Sequence, residues 1–435
     1  MSAATPVERL AARGLPATGG APWAARRRRA LETLRLRGLP DRRDENWRYL
    51  DHARIAAHAF GEEPGAPAAR ADISERLLPV AGATRVVLVD GRFDPALSGP
   101  VPDGLEVRDL ADVVEREPEG ALACLRLPAE DADDRWALLA DAFAAGGVLI
   151  RVAPQARLAA PLYVVHAASA TRDAVHQSRV SIDVAAGAQA TVIEDFIAAG
   201  TAPVLGNLAG DAVLGEGASL THLRLHREAP TAAQVETWTA RLAARANYAQ
   251  HLLALGGSLL RSNLAVTLEG AGSGCRLDGL FLADGERQVD LVTRIEHAGR
   301  ATVTRQECRG IAAGRGRGAF NGRIVVRPTA RGADASQSSR NLLLAPLAEI
   351  NARPQLEIEV DDVQCRHGAT TGTLDPDQLF YLESRGIDAQ AARALLTYAF
   401  CRDLIGRVPV AEVRAEALAL VAGALPDRDL VRGLD

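Results

Sequence analysis

The sequence predicts a mainly β protein, a solenoid of stacked short strands with helical segments at either end. Three observations carry this. From Gly147 to about residue 368 the chain reads as a succession of short strands with no convincing long helix. Gly-Ala and Gly-Ser steps, such as Gly187-Ala188, Gly217-Ala218 and Gly257-Ser258, punctuate that succession as turns would. Both ends of the chain carry helical spacing instead. So many strands exceed one ordinary sandwich, whereas a solenoid stacks them indefinitely, each coil covering the edge of the last. No fixed repeat period is visible. On pattern alone a large double sandwich or jelly roll therefore stays open.

The elements follow in order. Trp23 to Leu36 has apolar residues at near-helical spacing with arginines between them, and Gly38-Leu39-Pro40 stops that helix. Gly61 to Pro67 reads as a linker. Arg85 to Gly91 reads as a strand entering a turn, and Trp136 to Phe143 as a short helix. Gly147 to Val152 opens the strand region. It continues through Leu162–Ala167, Val180–Val184, Ala190–Glu194, Ser219–Leu225, Thr237–Leu242, Leu264–Leu268, Gln288–Ile295, Arg323–Val326 and Leu356–Val360. Asp375-Pro376 then starts a helix, as an N-cap candidate followed by proline at the first helical position. Gly386 stops it, Asp388 caps the next, whose Ala391, Leu395, Tyr398 and Leu404 share an apolar face, and Gly406 ends that one. Val410 to Leu425 is a third amphipathic helix. The expected division is a helical or mixed region over 1–145, a strand core over 146–368 and a helical region over 369–435. Such a helical end would cap the open solenoid or dock a partner.

Composition excludes several chemistries. All 50 basic residues are arginine, so no lysine can hold ATP phosphates in a P-loop or form a Schiff base. An ATP-driven process would need another chain to bind the nucleotide. The net charge of -5 gives no case for nucleic-acid binding. The basic run Arg26, Arg27, Arg28 and Arg29 precedes no apolar core, and no stretch approaches the roughly 20 apolar residues of a membrane span. Cys124, Cys275, Cys308, Cys365 and Cys401 are widely spaced and odd in number. The expectation is a cytoplasmic protein with reduced thiols.

Gly314-Arg315-Gly316-Arg317-Gly318-Ala319 matches a dinucleotide fingerprint formally, but a strand follows it rather than a helix, so a flexible solenoid loop is the better reading. The densest chemistry runs from Leu356 to His367. Alternation puts Leu356, Ile358 and Val360 on one strand face and Glu357, Glu359 and Asp361 on the other, with a bulge or strand end at Asp362. Cys365 and His367, two apart, project from one side of an extended strand. A thiolate and an imidazole together suit iron or zinc, but they are half a site. On spacing alone a structural thiol beside a strand-end histidine is the simpler reading. Completion by another subunit is what would give the pair a function.

These segments carry a resemblance. Asn341-Leu342-Leu343-Leu344, Pro354-Gln355-Leu356-Glu357-Ile358, Cys365-Arg366-His367-Gly368-Ala369-Thr370 and Leu379 to Ile387 occur in this order in the SufB/SufD family of iron–sulfur cluster assembly proteins. Glu45-Asn46-Trp47-Arg48-Tyr49 is similar to the family's early Glu-x-Trp-x-Tyr element. The Cys-x-His-Gly-Ala-Thr form resembles the SufD branch, where SufB-type chains usually have His-Glu-Ala-Thr. Thr371 departs from the family, standing where a bulkier apolar residue is expected.

The resemblance implies a right-handed parallel β-helix and a non-enzymatic scaffold subunit. It implies pairing with a SufB-like paralogue through the β-helix ends, and docking of a SufC-like ABC ATPase on the C-terminal helices through Phe380, Tyr381, Arg385 and Gly386. A homodimer is expected when the chain is alone, with no nucleic-acid or membrane partner. His367 and Cys365 would be transient ligands to iron or a nascent cluster at the shared interface, with no cofactor held by the isolated chain. A competing class is a carbohydrate-active β-helix enzyme, a polysaccharide lyase or hydrolase using Glu357, Glu359 and Asp361.

Overall fold

The computed structural model describes residues 4–17, 20–60, 69–119 and 135–425. The linker expected at 61–67 and Cys124 lie outside them. The core is a parallel β-solenoid with two strands per coil, one in each of two sheets. The first sheet contains β1 (Thr84–Val89), β2 (Arg92–Phe93), β5 (Leu162–Ala168), β7 (Gln189–Ala198), β9 (Ser219–His226), β11 (Asn247–Ala254), β13 (Gly274–Ala283), β15 (Val303–Ala312), β17 (Ala333–Leu343) and β19 (Val363–Gly372). The second contains β3 (Leu105–Asp109), β4 (Gly147–Val152), β6 (Ala174–Val184), β8 (Val204–Leu214), β10 (Ala232–Leu242), β12 (Leu259–Leu268), β14 (Gln288–His297), β16 (Arg317–Val326) and β18 (Glu349–Ile358).

The solenoid expectation holds, and the double sandwich does not. The missing period has a structural cause. Gln189, Ser219, Asn247, Gly274, Val303 and Asp334 are successive register partners, so coils differ in length although strands stay aligned. Corner turns absorb the difference. At Gly217 the backbone φ is +66°, a left-handed conformation open to glycine at little cost, and Ala218 after it is fully buried.

Strand by strand, the sequence reading falls short. β8, β11, β13, β15, β17 and β19 are not read as full strands from the sequence, and most of the others are longer than read. The inward faces of β15 and β17 carry Thr304, Gln306, Gln337, Ser339 and Asn341, all buried, so the apolar alternation that marks a strand is missing there. The tract at Gly314 opens in a tight connecting turn, and its second half, Arg317 to Ala319, is already β16. β18 stops at Ile358, two residues before the expected end at Val360, and the bend at Asp361-Asp362 leads into β19.

Three apolar layers hold the molecule. Inside the solenoid, residues such as Val192, Leu220, Trp238, Leu264 and Ile324 fill the lumen. On the outer face of the second sheet, Leu205, Val235 and Leu259 pack against the N-terminal helices. There α2 (Gly20–Arg37) buries Trp23, Arg27, Ala30, Leu31 and Leu34, one helical face, and Gly38 ends it at φ +67°. The outer face of the first sheet packs Leu223, Leu225, Leu253 and Leu280 against α8 (Ala389–Ile405) and α9 (Ala411–Ala424).

That placement corrects one expectation. α8 and α9 lie along the flank of the solenoid and do not cap its end. Arg309, on β15, donates to the Phe400 carbonyl at 2.6 Å and pairs with Asp403, while Arg407 holds Glu307 at 2.7 Å. No helix among the described residues is long and apolar enough to cross a membrane.

Candidate functional site

The two ends of the solenoid differ. At the start, the sheets finish in β2 and β3, short strands paired antiparallel to their neighbours. At the other end they finish in β18 and β19, each ten residues long and paired on one side only. Burial shows the consequence. β16 is almost wholly buried, whereas no residue of β19 is, and β18 buries Ile350 alone. Long unprotected edges are a liability that soluble proteins normally blunt or cover.

Cys365 and His367 sit on this edge. Register places Cys365 over Ala335 and His367 over Gln337. Both partners point into the lumen and are buried, so Cys365 and His367 share the inward face, as spacing implied. Cys365 is half-buried against the lumen core, and His367 is exposed because no further coil covers it. Burial pushes the Cys365 thiol above its usual range, offset in part by a backbone hydrogen bond involving Ala335. The thiol is therefore protonated at neutral pH and needs a nearby cation or metal to become a good ligand. Among the described residues no group of three or more His, Cys, Asp or Glu could hold a metal ion.

Two of the neighbouring carboxylates are paired with arginines. Glu357 pairs with Arg323 at 2.6 Å and Glu359 with Arg327 at 3.3 Å. Glu357 ties β18 to β16, and Glu359 ties the segment after β18 to the one after β16.

The other expected site lies at α7 (Pro376–Ser384), which follows β19. Asp375 caps it, accepting from the Asp377 amide at 2.9 Å, and Gly386 follows at φ +85°. α7 buries no residue: Phe380 is 72% exposed and Tyr381 57%. The Arg385 guanidinium lies over the Tyr381 ring at 5.2 Å. Phe380, Tyr381 and Arg385 are thus exposed together on and just after α7.

One constellation escaped sequence reasoning. Inside the lumen, Arg224 grips Glu236 with two hydrogen bonds, 2.7 and 2.6 Å, and donates to Glu194 at 2.8 Å. His222 and His166 flank Glu194 at 2.9 and 2.8 Å. His226 stacks on Phe196, ring centroids 4.2 Å apart, beside Glu228 and Glu236. Burial opposes the charge on His226, but Glu236 and Glu228 raise its pKa to about 9. Glu236, against burial, is lowered to about 2 by Arg224 and His226. The only signal was the alternation His222-Leu223-Arg224-Leu225-His226, which reads as a solvent face over a core face. The fold inverts it. The leucines pack outward under α8 and α9, and the polar residues point in.

Residues 166–400 match the model of the SUF system FeS cluster assembly SufBD core domain, and residues 18–164 that of the SufBD N-terminal region. The chain is 32% identical to the iron–sulfur cluster assembly protein SufD of Escherichia coli K12 over 402 residues, 91% of this chain and 92% of that one. It is 27% identical to an iron–sulfur cluster assembly SufBD family protein of Synechocystis, covering 89% of this chain and 88% of the relative. It is 28% identical to the chloroplastic protein ABCI7 of Arabidopsis thaliana, over 91% and 85%. With both family regions matched in order and nearly the whole length of a SufD aligned, this chain belongs to the SufB/SufD family of iron–sulfur cluster assembly proteins, on its SufD branch.

Proposed function

We propose that this chain is a non-ATPase scaffold subunit that pairs through its open solenoid end with a SufB-like paralogue and receives iron there for nascent clusters. The observation that carries the reading is the position of Cys365 and His367 on an edge strand that no described residue covers. Two ten-residue edges offer a second solenoid a continuation of both sheets. The same contact would bring further ligands to a two-donor set. Iron arriving at Cys365 would displace its proton, so loading would release a proton and weaken as pH falls.

The ATP step belongs to another chain, since this one has no lysine for a nucleotide-binding loop. The exposed patch of Phe380, Tyr381 and Arg385 suits a SufC-like ATPase, because aromatic and arginine anchors dominate such interfaces. Hydrolysis there would act on α7, which follows the strand bearing the ligands. The free cysteines Cys275, Cys308, Cys365 and Cys401 suit a reducing cytoplasm.

The test is His367→Ala in cells that depend on the complex. The complex should assemble, because His367 is exposed and its removal leaves no cavity, while cluster formation falls. Unchanged cluster yield with the complex intact would sink the proposal.

A further inference from the structure

Inward-facing side chains of the first sheet stack in columns along the solenoid axis. The parallel register holds each about 4.8 Å, one strand spacing, from the next. One column runs Gln306, Gln337, His367. Gln306 and Gln337 are buried, at 6% and 3% exposure. Their hydrogen bonds have a direction. Gln306 Nε2 donates to Thr293 Oγ1 at 2.9 Å, and its Oε1, which also takes a longer 3.4 Å contact from that hydroxyl, faces the next coil. There it accepts from Gln337 Nε2 at 2.7 Å. The polarity of the ladder leaves one group over at its top, Gln337 Oε1, a buried acceptor without a partner. Buried acceptors are rarely left so, because the loss of hydration is not repaid.

The space around that amide is also specific. Gly322, in the middle of β16, faces it across the lumen. A Cβ there would collide with Gln337 Nε2 and come within 2.7 Å of the Phe320 ring. Glycine inside a strand weakens the strand and marks a close approach. Here it makes room for the glutamine. The next rung above is His367, which lies on the same inward face and makes no side-chain hydrogen bond among the described residues.

We infer that Gln337 is a positioning residue for His367: the exposed ring turns so that one imidazole N–H donates to the unpartnered Gln337 Oε1, which leaves the other, bare nitrogen toward the open end. A metal takes the lone pair of a neutral imidazole, and the partner of the second nitrogen decides which lone pair is offered. The ladder Thr293–Gln306–Gln337 would then set the ring's tautomer before any partner arrives. This inference rests on reading His367 as an iron ligand, but it concerns the ring in the isolated chain and can be measured there.

Nitrogen-15 NMR of the chain with labelled histidine reads the tautomer, and the His367 signals are assigned by their loss in His367→Ala. One tautomer should dominate in the native chain. Gln337→Met keeps the volume but removes the acceptor, and should let both tautomers populate. Gln337→Glu keeps an acceptor and should keep the bias. Gly322→Ala displaces the amide without altering its chemistry or that of His367. It should repeat the loss, so the test survives if Gln337→Met folds poorly. In the assembled complex, Gln337→Met should lower iron affinity about tenfold or more, with Gln337→Glu largely restoring it. An unchanged tautomer ratio in either Gln337→Met or Gly322→Ala overturns the inference. Normal cluster yield in His367→Ala overturns the iron-ligand reading instead, so the two failures are distinguishable.

Discussion

Arg224 shows how much can hang on one side chain. It is wholly buried and holds Glu194 and Glu236 together. Removing one member of such a cluster strands the others as uncompensated charges. Arg224→Met is therefore expected to cost about 3–5 kcal/mol, read as a shift in the denaturant midpoint. A cost below about 1 kcal/mol would mean that the carboxylates find other partners or take up protons. Cys365 is the opposite case. Its side chain lies at the open end, so Cys365→Ser should leave stability within about 0.5 kcal/mol while removing the soft ligand for iron. The Cys365–His367 pair was legible because spacing of two on any extended strand puts both on one side. Arg224 and Gln337 were not, because alternation separates two faces without saying which is inside.

The unit above the residue is the strand with its neighbours. β17 and β19 have similar length but opposite fates, since β17 has a coil on each side and β19 only one. Asn341 of β17 donates to the Thr370 carbonyl at 3.2 Å and to Thr371 Oγ1 at 3.3 Å, so the last strand is tied down although exposed. That bond also gives the unexpected threonine at 371 a role. Helix ends were the most readable elements. Asp375, Asp388 and Gly386 act in the structure as their chemistry suggests, because caps depend on a few adjacent residues. Polar-lined strands such as β15 were the least readable, because their partners lie a whole coil away. At this scale α7 makes a clean prediction. Phe380→Ala with Tyr381→Ala should leave thermal stability nearly unchanged, since neither ring is buried. It should weaken binding of the ATPase partner by tenfold or more, measured by titration calorimetry. Undiminished binding would move the docking surface elsewhere.

The whole molecule has a pH signature set by its lumen. Glu236, at about 2 against an ordinary 4.5, contributes stability that is present above pH 4.5 and lost as pH falls toward 2. His297, buried beside Thr302 and Thr304 and lowered to about 4, costs stability as pH falls from 6.5, because the unfolded chain protonates first. His226, raised to about 9, contributes stability that is full below 6.5 and lost as pH rises through 9. The chain should thus be most stable near pH 6.5 and decline on both sides, in thermal melts taken across pH 3 to 10. Replacing His226 by Gln should remove most of the alkaline decline, and an unaltered alkaline limb would assign that decline to other groups.

By itself the sequence determined a mainly β core with helical ends, the capped helices at its end and the Cys365–His367 spacing of two, since each follows from local spacing and turn chemistry. Its motifs also marked the family. Only the tertiary structure decided which strand faces turn inward, that α8 and α9 cover the flank and leave the end bare, and that a glutamine ladder ends beneath His367. Those facts depend on which coil stacks on which, over separations of about thirty residues, and no short-range pattern encodes that register.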